Sequence, residues 1–89
     1  MITVEVKIYF NGGGVKTRII SLKDEENTVY NLLIRLKSNV LMKSEVPFGD
    51  EFKNLMVIVN MVEIHFLAGL NTVLKHGDCV VLVEAVAGG

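Results

Sequence analysis

The chain has 89 residues, of which 51% are hydrophobic, and its formal net charge is -1. A chain of this length forms one domain with a modest core, which leaves little room for the deep cleft of an enzyme. The near-zero charge gives no general attraction to nucleic acid, and no run approaches the ~20 apolar residues of a membrane-spanning helix, so neither kind of partner is expected.

The first two predicted elements are strands. Ile2 to Phe10 alternates apolar and polar side chains, which is the period of a half-buried strand. Residues 11–14 read Asn-Gly-Gly-Gly, and because these residues adopt positive φ cheaply they predict a hairpin turn. Val15 to Leu22 should then run antiparallel to the first strand. The glycine run leads into a strand and no Gly-Lys-Ser/Thr follows, so a phosphate-binding loop is not expected.

A helix is predicted from about Thr28 to Ser38. Apolar side chains recur there at i, i+3, i+4 and i+7, which is the spacing of one helical face. An acidic run precedes the segment, and either Asn27 or Thr28 can serve as the N-cap. The apolar positions of this face are Val29, Leu32, Leu33 and Leu36.

The segment after the helix has no clear period. Residues 39–54 contain Pro47 and Gly49, which mark a break in regular structure. Phe52 and Leu55 are interpreted as part of a short second helix.

The last third of the chain is predicted to add further strands. Residues 57–59 are Val-Ile-Val and form a short strand, and residues 62–64 form its neighbour or its continuation. Residues 71–74 predict one helical turn, and residues 76–78, His-Gly-Asp, predict a chain reversal. Residues 79–83 are five apolar residues in a row, which predicts a final strand.

This final strand has more apolar side chains than one buried face requires. A strand with one wet face should alternate between apolar and polar residues, and residues 79–83 do not. We expect Val80 and Leu82 to point into the core. Val81, Val83 and Ala85 should then form an apolar patch for a partner beside the end of the chain.

The order of two hairpin strands, a helix, further strands and a last strand ending in Gly-Gly resembles the ubiquitin-like β-grasp fold. This is an α+β fold with a mixed sheet of four to five strands and one main helix packed across it. The sequence is more narrowly similar to the MoaD/ThiS family of sulfur carriers. The residues that carry the likeness are Val57 to Asn60, Leu74-Lys75-His76-Gly77-Asp78, the apolar strand 79–83, and Val86-Ala87-Gly88-Gly89.

The resemblance implies a domain at 1–84 and a flexible diglycine tail at 85–89. Gly89 would be the working residue, because its carboxylate is adenylated by an E1-like enzyme with ATP and then becomes a thiocarboxylate. Gly88 has no Cβ, so the tail can enter a narrow channel, and Val86 and Ala87 are small enough to follow. The partner-binding residues expected are Val81, Val83, Ala85, Val86 and Ala87.

The leading functional hypothesis is sulfur donation to molybdopterin, with the large subunit of molybdopterin synthase as the second partner. In this role the chain is a carrier and not an enzyme, or at most the sulfur-donating subunit of the synthase. It is expected to bind no cofactor and no metal itself. Sulfur delivery in the thiamine or tRNA thiolation pathways, and conjugation to lysines as a ubiquitin-like modifier, remain open. A third possibility, an interaction module whose tail has no function, also remains open.

The half of the chain that contains the tail is acidic. Residues 45–89 carry two basic and six acidic side chains, whereas residues 1–44 carry seven and four. The acidic half would suit a basic groove on a partner, although ordinary surface scatter explains the numbers equally well. Cys79 is the single cysteine, so no internal disulfide can form, and the N-terminus lacks a signal-peptide pattern. A cytoplasmic protein is therefore expected.

Other reactive side chains have structural explanations. Cys79 could act as a nucleophile with His65 or His76 as its base, but a small buried thiol is the expected role. These three residues also lack the spacing of a known zinc site. Three of the four methionines are predicted to fill gaps in the core, with Met61 also a candidate contact residue. They are Met42, Met56 and Met61.

Overall fold

The computed structural model describes residues 1–9, 14–39, 52 and 54–84. Its strands are β1 (Ile2–Tyr9), β2 (Val15–Leu22), β3 (Leu55–Val59), β4 (Val62–Glu63) and β5 (Cys79–Glu84). One α-helix, α1 (Val29–Ser38), lies between β2 and β3 in the chain, and short 3-10 helices occupy Ile64–Phe66 and Gly69–Asn71. No helix of the described residues has the length and apolar character needed to cross a bilayer.

The strands form one five-stranded sheet in the order β2-β1-β5-β3-β4. β1 and β2 pair antiparallel along their whole length, as predicted for a hairpin, and residues 11–13 of the turn lie outside the described chain. β5 lies in the middle of the sheet, parallel to β1 and antiparallel to β3. The predicted mixed sheet of four to five strands with one main helix is confirmed, with five strands.

The helix begins and ends where its sequence pattern predicts. Thr28 is the N-cap, and its Oγ1 accepts a hydrogen bond of 3.2 Å from the backbone N–H of Asn31. This bond satisfies one of the free amides of the first turn. Arg35 and Lys37 lie in the last turn, where positive charge stabilises the helix dipole. The buried residues of α1 are the four predicted ones, Val29, Leu32, Leu33 and Leu36.

The core forms between α1 and one face of the sheet. From Val4 to Ile8 the buried positions of β1 alternate with half-buried ones, as the period-two pattern predicts, whereas Ile2 is only half-buried. In β5 Val80 and Leu82 are fully buried, which confirms the prediction that they point into the core. Each such side chain contributes roughly 1.5–3 kcal/mol by leaving water. The largest fully buried side chains are Ile8, Leu32, Leu33, Leu36, Leu74 and Leu82.

Two predictions of helical structure in the second half of the chain are wrong. Leu55 does not belong to a second helix but begins β3 and pairs with Glu84 of β5. Phe52 has a φ of 55°, which is outside the helical region. The helical turn predicted at 71–74 lies earlier, at Gly69–Asn71, because the Thr72 hydroxyl donates to the carbonyl of Gly69 and accepts from the amide of Ala68.

The methionines that the structure describes do not fill the core. Met56 lies on the sheet face that points away from α1, and Met61 lies in the turn between β3 and β4, where its side chain is exposed. The prediction that they fill core gaps is therefore wrong for both, because strand alternation and a tight turn turn them outward. Met42 lies outside the described residues.

Candidate functional site

The sheet has an open face, which is the face opposite α1. Because side chains alternate along a strand, β5 places Val80 and Leu82 in the core and Cys79, Val81 and Val83 on the open face. All three open-face side chains are half-buried. The structure thus places Val81 and Val83 where the sequence predicts an apolar patch.

One row of the open face is apolar across four strands. Val83 of β5 pairs with Tyr9 of β1 on one side and with Met56 of β3 on the other, and Tyr9 pairs with Val15 of β2. We call these four residues the tail-base row, because Glu84, the next residue, ends β5. The exposed fraction is 52% for Val15, 44% for Tyr9 and 40% for Met56. The row is therefore a strip of accessible apolar surface at the base of the tail.

The next row of the open face is more polar on the β1 side. Val81 pairs with Lys7 of β1 and with Ile58 of β3, and Lys7 pairs with Thr17 of β2. Apolar surface therefore continues along β5 and β3, while β1 and β2 carry a cation and a hydroxyl. Ala85, Val86, Ala87, Gly88 and Gly89 lie outside the described residues, so the roles predicted for them stay predictions.

A network of hydrogen bonds fixes the start of β5. The Asn60 side chain donates to Asp78 Oδ1 at 2.9 Å and accepts from the amide of Cys79, also at 2.9 Å. The amide of Asn60 donates to the carbonyl of Cys79 at 2.8 Å. Asp78 Oδ2 accepts from the amide of Lys75 at 2.8 Å. We call this the Asn60–Asp78 clip. It joins the β3–β4 turn to the turn that precedes β5, and so helps to fix the register of β5 beside β3.

Replacing Asp78 with alanine should lower the free energy of unfolding by about 1–2 kcal/mol, because two hydrogen bonds accepted by its carboxylate are lost. Urea unfolding followed by circular dichroism measures this change. The matched control is Asp24→Ala, which removes an exposed ion pair with the N-terminal ammonium group and should cost less than about 1 kcal/mol. An unfolding midpoint for Asp78→Ala equal to that of the parent would show that the clip does not stabilise β5.

The reactive side chains named from the sequence are not brought together. Cys79 Sγ lies 3.6 Å from a carboxylate oxygen of Glu5, and burial raises the pKa of the Cys79 thiol. A raised pKa disfavours the nucleophilic thiolate. His76 accepts a hydrogen bond from the amide of Thr3 through Nδ1, and so supports β1. These contacts give Cys79 no histidine base.

The second histidine also has a local partner. His65 pairs with the Glu63 carboxylate through its ring nitrogen and its backbone amide. This hydrogen bonding lowers the pKa of Glu63 below its usual value. Among the described residues, no three His, Cys, Asp or Glu side chains lie close enough together to hold a metal ion.

Sequence reasoning missed three members of the tail-base row. Val15, Tyr9 and Met56 each belong to a predicted element or to a segment beside one, but only cross-strand register shows that they share a row with Val83. Aromatic and β-branched residues at the open-face positions of both hairpin strands were the available signal. Unless the strands that pair with β5 are known, these residues cannot be assigned to a position beside Val83.

Comparison with known proteins gives a family and a fold. Residues 10–89 match the ThiS family. No curated protein matches the sequence. The solution structure of small archaeal modifier protein 1 from Methanosarcina acetivorans is similar, with a TM-score of 0.68 and 25% identity, over 100% of this chain and 98% of that one.

Two further solved structures share the fold. The Haloferax volcanii HVO 2177 protein is similar with a TM-score of 0.70 and 24% identity, over 99% of this chain and 87% of that one. A chain of the Amycolatopsis orientalis BexX/CysO complex is similar with a TM-score of 0.57 and 24% identity, over 94% of this chain and 99% of that one. The predicted ubiquitin-like β-grasp fold is confirmed. The last of these relatives was solved bound to another protein.

Proposed function

Because the chain belongs to the ThiS family of ubiquitin-like sulfur carriers, we propose that it carries sulfur on the carboxylate of Gly89. The observation that carries this proposal is the family match over residues 10–89, which includes both terminal glycines. The tail-base row supports it, since a partner that takes up the tail must first hold the domain beside it.

The chemistry requires an activating partner. A C-terminal carboxylate has a pKa near ~3.5, so it is anionic at neutral pH and resists nucleophilic attack. In an E1-like partner a carboxylate oxygen of Gly89 attacks the α-phosphorus of ATP, and pyrophosphate leaves. A sulfur donor at the oxidation state of hydrosulfide then attacks the acyl carbon. AMP leaves, and one proton is released. The product is a thiocarboxylate, whose sulfur is nucleophilic. We propose that this reaction takes place in the cytoplasm, where ATP is available to the partner.

The tail suits transfer into a buried site. From Glu84 to Gly89 the chain can span at most roughly 20 Å at ~3.3 Å per residue. The domain can therefore dock outside a partner while Gly89 reaches its active site. In this arrangement Val81 and Val83 contact the rim of the partner, Ala85, Val86 and Ala87 follow into the channel, and Gly88 bends at the reacting end.

We place the sulfur in molybdopterin biosynthesis, with the large subunit of molybdopterin synthase as the receiving partner. The length of 89 residues and the eight-residue β2 support this assignment over the shorter thiamine carrier. The chain then acts as the sulfur-donating subunit, and the receiving partner supplies the site at which the cofactor precursor binds.

The second candidate function is that of a protein modifier. It is favoured by the likeness to small archaeal modifier protein 1, which is 25% identical and covers all of this chain. In that role Gly89 is activated in the same way, but the acyl group passes to a lysine amine and an isopeptide bond forms. The two functions therefore share the first step and differ in the nucleophile.

Intact mass spectrometry of the chain purified from its native cell tests the proposal. We expect a population in which one terminal oxygen of Gly89 is replaced by sulfur. The same chain lacking Gly89, expressed in that cell, should show no such population. Heavier adducts in which Gly89 is joined to lysine would favour the modifier. A chain found only in its unmodified form, in cells that are making sulfur-containing cofactors, would contradict both functions.

A further inference from the structure

A second apolar surface lies at the β4 edge of the sheet, in the segment 62–73. Val62 pairs with the buried Val59, and directly paired residues project to the same face, so this surface lies on the α1 side and not on the open face. The two 3-10 helices carry the rest of the segment. We call its exposed large apolar residues the edge patch. Each is at least 38% exposed, and they are Val62, Phe66, Leu67, Leu70 and Val73.

Phe66 protrudes from the edge patch. Its side chain is 85% exposed, so the ring contributes almost nothing to the core of its own domain. The backbone that carries the ring is fixed, because the 3-10 helix begins at the buried Ile64 and the amide of Leu67 donates to the carbonyl of Ile64 at 2.9 Å. A large aromatic side chain presented in this way is typical of the residues that contribute most to binding at interfaces.

A depression of matching size lies beside this ring. It is open, encloses about 310 Å³ and has three residues of the edge patch in its lining, Val62, Leu67 and Val73. A phenyl ring fits into that space, since a cavity of about 150 Å³ is enough to hold benzene. Leu67 lines the depression and follows Phe66 in the chain, so the protruding ring and the depression are neighbours on one surface.

A protruding ring and a depression on one surface are self-complementary. A two-fold axis that passes between them places Phe66 of each copy in the depression of the other, which is the reciprocal pattern of an isologous interface. An unlike partner would have to supply both features in the same arrangement, whereas a second copy supplies them by symmetry. Leu67 then lies close to the axis, where it meets its own counterpart.

The charges of the segment also suit a second copy. Glu63 is its only carboxylate, and the segment contains no lysine or arginine. The Glu63 carboxylate pairs with the amide and the ring of His65 within its own copy. Two-fold symmetry brings like groups together, so unpaired charges of one sign would oppose the contact. Recognition of an unlike partner commonly uses complementary charges, and this segment offers none.

The extent of the surface is close to what a dimer requires. A stable dimer buries about 800 Å² of each partner, which is about a seventh of the 5566 Å² of accessible surface of this chain. The segment 62–73 is also about a seventh of the chain, and only Ile64 and Thr72 within it are buried. It can therefore supply most of the area.

We propose that the edge patch is the interface of a symmetric homodimer, in which Phe66 of each copy occupies the depression of the other. The interface lies on the α1 side of the β4 edge, so the open face and the tail-base row of both copies stay uncovered. The base of each tail, at Glu84, is then accessible in the dimer as it is in the monomer. This inference is independent of the sulfur chemistry proposed for Gly89.

Sedimentation equilibrium of the full chain tests the proposal. We expect a reversible equilibrium between the 9.8 kDa chain and a species of twice that mass, with a Kd of about 100 μM or tighter. Phe66→Ala should raise the Kd about tenfold or more, because it removes the ring that fills the depression. Its melting temperature, measured at a concentration at which the parent is monomeric, should equal that of the parent because the ring is 85% exposed.

The matched control is Ile19→Ala, which removes a large apolar side chain that is 64% exposed on β2, at the opposite edge of the sheet. Its Kd should stay within about twofold of the parent, well below the effect of a binding hot spot. Isotope-filtered NOE spectra of a mixture of labelled and unlabelled chains should show contacts from the Phe66 ring of one copy to Val62 and Val73 of the other.

Three results would each overturn the dimer. They are a parent chain that stays monomeric up to about 1 mM, a Kd that Phe66→Ala leaves unchanged, and an equal rise in Kd for Ile19→Ala. Filtered NOE contacts between the open faces, in place of those from Phe66, would also overturn it. None of these results changes the expected mass of the thiocarboxylate form, so the proposed function is tested separately.

Discussion

Deletion of Gly89 is expected to abolish thiocarboxylate formation and to leave the melting temperature unchanged. The shortened chain still ends in a glycine carboxylate, so its intrinsic reactivity is the same. Its carboxylate, however, lies ~3.3 Å short of the α-phosphorus of ATP when the domain is docked. A misplacement of even 1 Å can cost about 100-fold in rate, so the product should fall to background. Single-turnover reactions with ATP, the activating enzyme and sulfide, followed by intact mass, measure this loss.

A second variant at the same position separates the effect of tail length from the effect of side-chain size. Gly89→Ala keeps the carboxylate at its original distance but adds a Cβ in the channel, so we expect a partial loss. Thermal unfolding of both variants should match the parent, because the last buried core residue of the described chain is Leu82 of β5. Thiocarboxylate formation at the parent rate by the chain lacking Gly89 would mean that Gly89 is not the residue that carries sulfur.

The second large effect is expected from Val83→Asp in the tail-base row. Val83 lies at the centre of this row, so an interface that covers it would have to bury the new carboxylate without a partner. The activating enzyme is assayed by chain-dependent exchange of pyrophosphate into ATP. We expect the KM for the chain in this reaction to rise at least about 30-fold, which is about 2 kcal/mol of lost binding. Because Val83 is half-buried, the melting temperature must be measured on the same sample.

Two further variants keep this test decisive. Met56→Asp places the same charge in the row on β3, where the side chain is 40% exposed, so it should weaken binding even if Val83→Asp unfolds. Thr17→Asp is the matched control, since it adds the same charge to the open face on β2 outside the row. Equal effects of Thr17→Asp and Met56→Asp would show that net charge, and not the apolar row, governs binding.

The elements set by local pattern could be predicted from the sequence. The alternation in β1 and the i, i+3, i+4, i+7 spacing in α1 are properties of neighbouring residues, and both elements form where they indicate. β3 could not be predicted in full. Leu55 and Met56 are strand residues because Glu84 and Val83 lie beside them, and this pairing joins residues far apart in the chain. Tertiary context of this kind commonly overrides local propensity.

In the candidate site, too, some residues could be assigned from the sequence and others could not. Val81 and Val83 could be assigned to an outward face because five apolar residues in a row exceed what one buried face needs. Tyr9 and Met56 could not, because their membership of the row depends on register. The likeness to the sulfur-carrier family at Asn60 and at Gly77-Asp78 could be seen in the sequence, but its physical reason is the Asn60–Asp78 clip.

The central place of β5 has a mechanical consequence. If a partner pulls the tail along the axis of β5, the hydrogen bonds to β1 on one side and to β3 on the other lie across that direction. The load is therefore shared in shear by two ladders, whereas a strand at the edge would be held by one ladder alone. Under the proposed function, we thus expect the sheet to stay intact when a partner holds and later releases the tail.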